Sequence, residues 1–345
     1  MKSMKTAAFL LLLAMVTRLH AQTLYVDPAK GKDDNSGALA APLATLPRAV
    51  AMAKQFDGRQ PITIRLAPGL YQLTQLLTIG SGEGRNDSSR YTLEAMTMPD
   101  DKDWTPSTTP VISSISPDND QKYFVHCGGI MVARANTCLR GLKFIGNPNP
   151  AVDYYYPILR DSLILNTLDI SQCYFIGDRY GAVVQGAIYA EGPGIHVDHC
   201  LFYGCKNAVL VFEKVKDFSV THTIIYGAYE GAVWFGFREP DEPFVFSDNI
   251  VSHCRYFWSS SKGFDHSTYK FSHSLICEND NYVGEQNGEG GVIPLKDPVT
   301  FHEDGIRKTG AVKLIEVGVE GLPRNYLHLA PQSDGQDIQA GVFTR

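Results

Sequence analysis

Apolar residues recur through the middle of the chain in short alternating runs. Six of these runs align without gaps: 139–146 (LRGLKFIG), 170–177 (ISQCYFIG), 197–204 (VDHCLFYG), 220–227 (VTHTIIYG), 246–253 (FSDNIVSH) and 271–278 (FSHSLICE). Their first residues are separated by 31, 27, 23, 26 and 25 positions, and self-similarity at 20–50 residues marks a solenoid. The first position (Leu139, Ile170, Val197, Val220, Phe246, Phe271) and the sixth (Phe144, Phe175, Phe202, Ile225, Val251, Ile276) are apolar throughout, and so point inward. The fourth (Leu142, Cys173, Cys200, Thr223, Asn249, Ser274) is mostly small or polar, as a tight internal turn requires. Each unit therefore predicts strand, bend, strand. A leucine-rich repeat would show a Leu consensus, and a propeller blade needs four antiparallel strands, more than about 25 residues usually carry. An all-β chain wound as a parallel β-helix, with coils about 4.8 Å apart, fits best.

A third strand precedes the repeated eight residues. Positions 186–191 (GAIYAE) align with 207–212 (NAVLVF) and 231–236 (GAVWFG). Alternation turns Ile188, Val209 and Val233 inward and leaves Tyr189, Leu210 and Trp234 as an outward column, with Phe257 as its continuation. An exposed aromatic row on a rigid sheet suits stacking of sugar rings; the alternative is a loop that covers the row as ordinary packing. Upstream, 62–66, 77–79, 91–94 and 130–133 extend the same logic. Thr45 reads as a helix N-cap with Pro47 in the first turn, so a short N-terminal helix is expected to cap the first coil and cover its open edge.

Composition narrows the class. At 44% apolar and 20% charged, the chain is too apolar for disorder and too mixed for a membrane bundle. Residues 1–21 read as an export signal: Lys2 and Lys5, an apolar run over 7–16 too short to span a bilayer, and Ala21 before Gln22. No Cys follows the run, so no lipid anchor is expected, and the protein is expected to be periplasmic or secreted. Removing the segment leaves 28 basic against 37 acidic residues, a net charge of −9, which excludes nucleic-acid or anionic-membrane binding through bulk charge. Seven cysteines, with no CxxC pair, read as small buried core residues more than as staples. The expected organisation is a single domain over 22–345. It comprises a strand and capping helix (22–60), coils (61–289) and a closing segment (290–345).

The opening YVDP at 25–28, GKDDNSG at 31–37, PLATL at 42–46 and LAPGLY at 66–71, with YLHLAP at 326–331, resembles the right-handed parallel β-helix proteins of the pectate-lyase-like superfamily. These are exported by carbohydrate-degrading bacteria. The resemblance covers nearly the whole mature chain and implies a single-stranded, right-handed β-helix acting on oligo- or polysaccharide. It carries no catalytic role to any residue here.

Candidate chemistry lies beside the outward column. Arg179, Lys206, Tyr229, Glu230 and Arg255 sit where loops enter the strands, while Glu191, Glu213, Lys214 and Arg238 sit at the far ends. A polysaccharide lyase needs a base and a cation that neutralises a uronate carboxylate, parts that Lys206 with Arg179, or Lys214 with Arg238, could supply. A glycoside hydrolase needs two carboxylates roughly 5 to 9 Å apart, for which Glu191, Glu213 and Glu230 are candidates. Tyr154, Tyr155 and Tyr156, in the long loop 147–157, are expected to wall a cleft. The third repeat position (Gly141, Gln172, His199, His222, Asp248, His273) reads as a hydrogen-bonded polar ladder, with a transition-metal site as the sharper alternative. Asp33-Asp34-Asn35 reads as local turns, with a loose Ca²⁺ site as the alternative. The leading expectation is an exported, monomeric carbohydrate-active enzyme, lyase slightly ahead of hydrolase. A non-catalytic glycan-binding or surface structural β-helix is the competing one.

Overall fold

The computed structural model describes residues 22–56, 58–80, 89–122, 124–160, 162–212, 215–235, 245–261, 270–287, 291–295, 302–317 and 321–344. The proposed export signal and the candidates Glu213, Lys214 and Arg238 lie outside them.

The described residues wind into a parallel β-helix whose strands form three sheets of ten, nine and eight strands. Pairing is parallel throughout, apart from the strand Val292–Pro294, which runs antiparallel to Asn281–Gln286. The aligned repeat is the physical register. Leu139, Ile170, Val197, Val220, Phe246 and Phe271 are consecutive rungs of the ten-stranded sheet. Phe144, Phe175, Phe202, Ile225, Val251 and Ile276 are consecutive rungs of the eight-stranded sheet. Both columns are buried, and the rings of Phe144, Phe175 and Phe202 stack at 5.0 and 4.7 Å.

Between those two strands the backbone turns through the left-handed region at the third repeat position. Gly141, Gln172, His199, His222, Asp248 and His273 have φ from 46° to 70°. That turn breaks the ladder, so the following backbone N–H faces the interior and needs another acceptor. The fourth-position side chains supply it. Cys200 N donates to Thr223 Oγ1 (3.2 Å), Thr223 N to Asn249 Oδ1 (2.9 Å), and Asn249 N to Ser274 Oγ (3.0 Å).

The helix Leu46–Ala53 is capped as its sequence predicts: Arg48 N donates to Thr45 Oγ1, and Leu46, Ala49, Val50 and Ala53 enter the core. Asp33 accepts from Ala44 N, Thr45 N and Thr45 Oγ1, which engages its carboxylate in tying this segment down. All seven cysteines are buried and free, and burial pushes the Cys205 and Cys254 thiols up to about 12. Val312, Leu327, Ile338 and Val342 cover the outward side chains Tyr174, Leu201, Ile224, Ile250 and Leu275 of the eight-stranded sheet. No helix among the described residues is long and apolar enough to cross a membrane.

Candidate functional site

The nine-stranded sheet carries the predicted outward column. Ile188, Val209 and Val233 pair in register and are interior, while Leu159, Tyr189, Leu210 and Trp234 pair in register on the other face. The column is not an open platform: Tyr189 and Trp234 are 5% and 8% exposed. The rings close over one another. Phe212 stacks on Tyr189 at 4.2 Å, Tyr156 meets Tyr189 edge-on at 5.4 Å, and Phe212 lies 5.6 Å from Trp234. Phe257 does not continue the row. Trp258 pairs with Val233 and Ser259 with Trp234, so Ser259 takes that place and Phe257 packs in the interior.

Beside this apolar patch lies a groove of about 500 Å³. Phe124, Val125 and Tyr154 form its exposed rim, and Tyr156, Leu210, Phe212 and Trp234 its apolar wall. At the strand entry it is polar, with Gln185, Lys206 and Glu230 from three consecutive coils. Lys206 Nζ lies 3.5 Å from Glu230 Oε2, with both side chains partly exposed. The fully buried Asn207 fixes the carboxylate. Its Nδ2 donates to Glu230 Oε1 and to Gln185 O, both at 3.1 Å, while its Oδ1 accepts from Gly231 N at 3.0 Å. Burial first, then the neighbouring Tyr154 and the Glu230 carboxylate, push the Tyr156 hydroxyl well above its ordinary value, so the wall keeps a neutral phenol.

The other candidates lie elsewhere. Tyr155 points into the core, opposite Tyr154 and Tyr156, as the alternation of its strand Tyr155–Arg160 dictates. Arg179, Tyr229 and Arg255 line a separate, smaller hollow of about 350 Å³ with His253 and Asp280. There Arg179 sits 5.2 Å from the Tyr229 ring centre, and burial pushes that tyrosine up to about 12. Glu191 is buried near the far strand end, 3.5 Å from the Tyr189 hydroxyl. Register places Glu191 six residues further along its strand than Glu230 is along its own, roughly 20 Å at the usual rise, too far for a hydrolase carboxylate pair. Phe124, Gln185, Asn207, Phe212, Gln286 and Val292 belong to the groove or its support and were not among the sequence candidates. Asn207 carried one readable signal, a polar residue where the aligned strands begin with Gly186 and Gly231.

No protein-family model and no curated protein matches the chain. Among solved structures, a rhamnogalacturonan lyase is similar at 11% identity and a TM-score of 0.44, over 94% of this chain and 100% of that one. Pectin methylesterase PemA from Erwinia chrysanthemi is similar at 11% identity and a TM-score of 0.43, over 94% and 98%. The GH136 lacto-N-biosidase from Eubacterium ramulus is similar at 7% identity and a TM-score of 0.43, over 84% and 68%.

Proposed function

We propose that this chain is an exported carbohydrate-active β-helix protein that holds an acidic oligosaccharide in the groove on the nine-stranded sheet and cleaves it by β-elimination. The observation that carries the reading is the Lys206–Glu230 pair at one end of an aromatic-walled groove. Phe124 and Tyr154 offer exposed ring faces for sugar stacking. Lys206 neutralises the uronate carboxylate, which acidifies the adjacent C–H. Glu230, held by Asn207, takes that proton; the electron pair forms the C4–C5 double bond, the C4–O bond breaks, and the leaving oxygen takes a proton from water.

Incubation with a panel of polyuronates and mixed acidic glycans tests this. Ultraviolet-absorbing unsaturated ends should form with the native chain and be lost in E230Q and K206M. Absence of both product and binding across the panel refutes it. A second reading, non-catalytic glycan capture, is favoured by the mutual ion pairing of Lys206 and Glu230, which already satisfies each charge. Oligosaccharide binding without turnover would select it.

A further inference from the structure

The corner of the coil between the ten- and eight-stranded sheets, away from the groove, carries a second cluster. The strand Ile195–Asp198 ends in Asp198, and His199 then turns the chain. One coil on, Thr221 pairs with Asp198, and His222 makes the same turn. Parallel register therefore places one imidazole over the other, with ring centres 4.6 Å apart and planes 13° from parallel. The Asp198 carboxylate lies between them, Oδ2 at 2.8 Å from His199 Nδ1 and Oδ1 at 3.1 Å from His222 Nδ1. Among the described residues this is the one place where three His, Cys, Asp or Glu side chains bring ligand atoms within 4.8 Å of one another.

We propose that Asp198, His199 and His222 form a divalent transition-metal site, with His199 Nδ1, His222 Nδ1 and one Asp198 oxygen as ligands. Two imidazoles with one carboxylate favour Zn²⁺, Co²⁺, Ni²⁺ or Cu²⁺ over Mg²⁺ and Ca²⁺, which prefer oxygen. Binding moves each ring proton from Nδ1 to Nε2, so neutral imidazoles release none. Two neutral rings, one carboxylate and a divalent ion leave one positive charge.

The backbone that carries the ligands is held in place, and the two rings turn about χ2 out of their stack so that both Nδ1 lone pairs meet one ion. His199 N donates to Thr221 O, His222 N to Ser247 O, and Gly341 N of the closing segment to His222 O. Thr221 Oγ1 donates to Asp198 Oδ1 at 2.7 Å, an outer-shell contact that orients the carboxylate. Asp198 and His222 are partly exposed, which leaves an entry path and open positions for water. The site is independent of the reading given to the groove.

The test uses the full mature chain, stripped with a chelator and titrated with Zn²⁺ by calorimetry and with Co²⁺ by visible absorbance. One equivalent per chain is expected, undisturbed by excess Mg²⁺ or Ca²⁺. H199A, H222A and D198N should each weaken Zn²⁺ binding by at least about tenfold, the smallest loss typical even for an outer-shell partner. H302A, at an exposed distant histidine, should leave it unchanged. On the unsubstituted chain, Zn²⁺ should protect His199 and His222, but not His302, from diethyl pyrocarbonate. No saturable uptake, an unchanged isotherm in a folded H222A, or equal modification with and without Zn²⁺ overturns the proposal.

Discussion

Arg160 closes the strand Tyr155–Arg160 with its side chain fully buried, pairing in register with the interior Ala190. Among the described residues, none of its three guanidinium nitrogens has a hydrogen-bond partner. Burial alone pulls the group down from its ordinary value to about 10. A depression of that size corresponds to about 3 kcal/mol of lost stability. The sign follows from proton counts. A base with a lowered folded value binds fewer protons in the folded state, so the cost is fully present below pH 10 and fades as pH rises beyond it. Methionine keeps the unbranched stem and removes the charge. R160M should therefore stabilise the chain by about 1–3 kcal/mol, the smaller figure allowing for the volume lost. Calorimetry or thermal fluorescence at pH 7.5, with circular dichroism to check the fold, should show a midpoint higher by several degrees, given about 2–4 °C per kcal/mol in a large domain. A midpoint below that of the native chain refutes the reasoning, because it would mean that the guanidinium is held by favourable partners.

Three further outcomes follow from the same packing. His328 is buried against Tyr174 and Phe343, and burial lowers it to about 3, so stability should fall as pH drops from 6.5 towards 3. H328L should flatten the urea-midpoint profile across that window by one proton; an unchanged slope counts against a neutral buried imidazole. N207A strips a carboxylate oxygen and a backbone N–H of a buried partner, an expected loss of about 2–4 kcal/mol read from urea unfolding. A loss under about 0.5 kcal/mol would show that Asn207 does not organise the groove. F175A removes the middle ring of the Phe144–Phe175–Phe202 stack and should cost about 3–5 kcal/mol in the same assay, whereas a surface-like change would contradict the interior column.

The coil was legible because a parallel solenoid turns sequence periodicity directly into hydrogen-bonded register. Leu139 and Ile170 occupy the same place in their runs and are neighbours in space, with no intervening decision for packing to make. The left-handed turn at the third position was legible only as a bend, since Gln, His and Asp there conceal a conformation that Gly141 alone announces. No count along the chain carries Phe257 into the row: Leu210 stands six residues after Gly204 and Trp234 seven after Gly227, so the same counts from His253 pass beyond Phe257. Register gives Ser259.

Exposure was the property that alternation could not supply. Period two says which face of the sheet Tyr189 and Trp234 occupy, but whether that face is wet depends on side chains several residues away along the chain and one coil away in space. Phe212 illustrates this: it is one residue past the end of its strand, and by folding back onto Tyr189 it converts a row of rings into a closed patch. The groove survives at the patch's edge because Gln185, Lys206 and Glu230 stand where the sheet begins, and a charged pair anchored by a buried Asn resists collapse into the apolar cluster. The candidate groove therefore lies where a coil enters the sheet, at the boundary between the rings that close on themselves and the polar side chains that cannot join them.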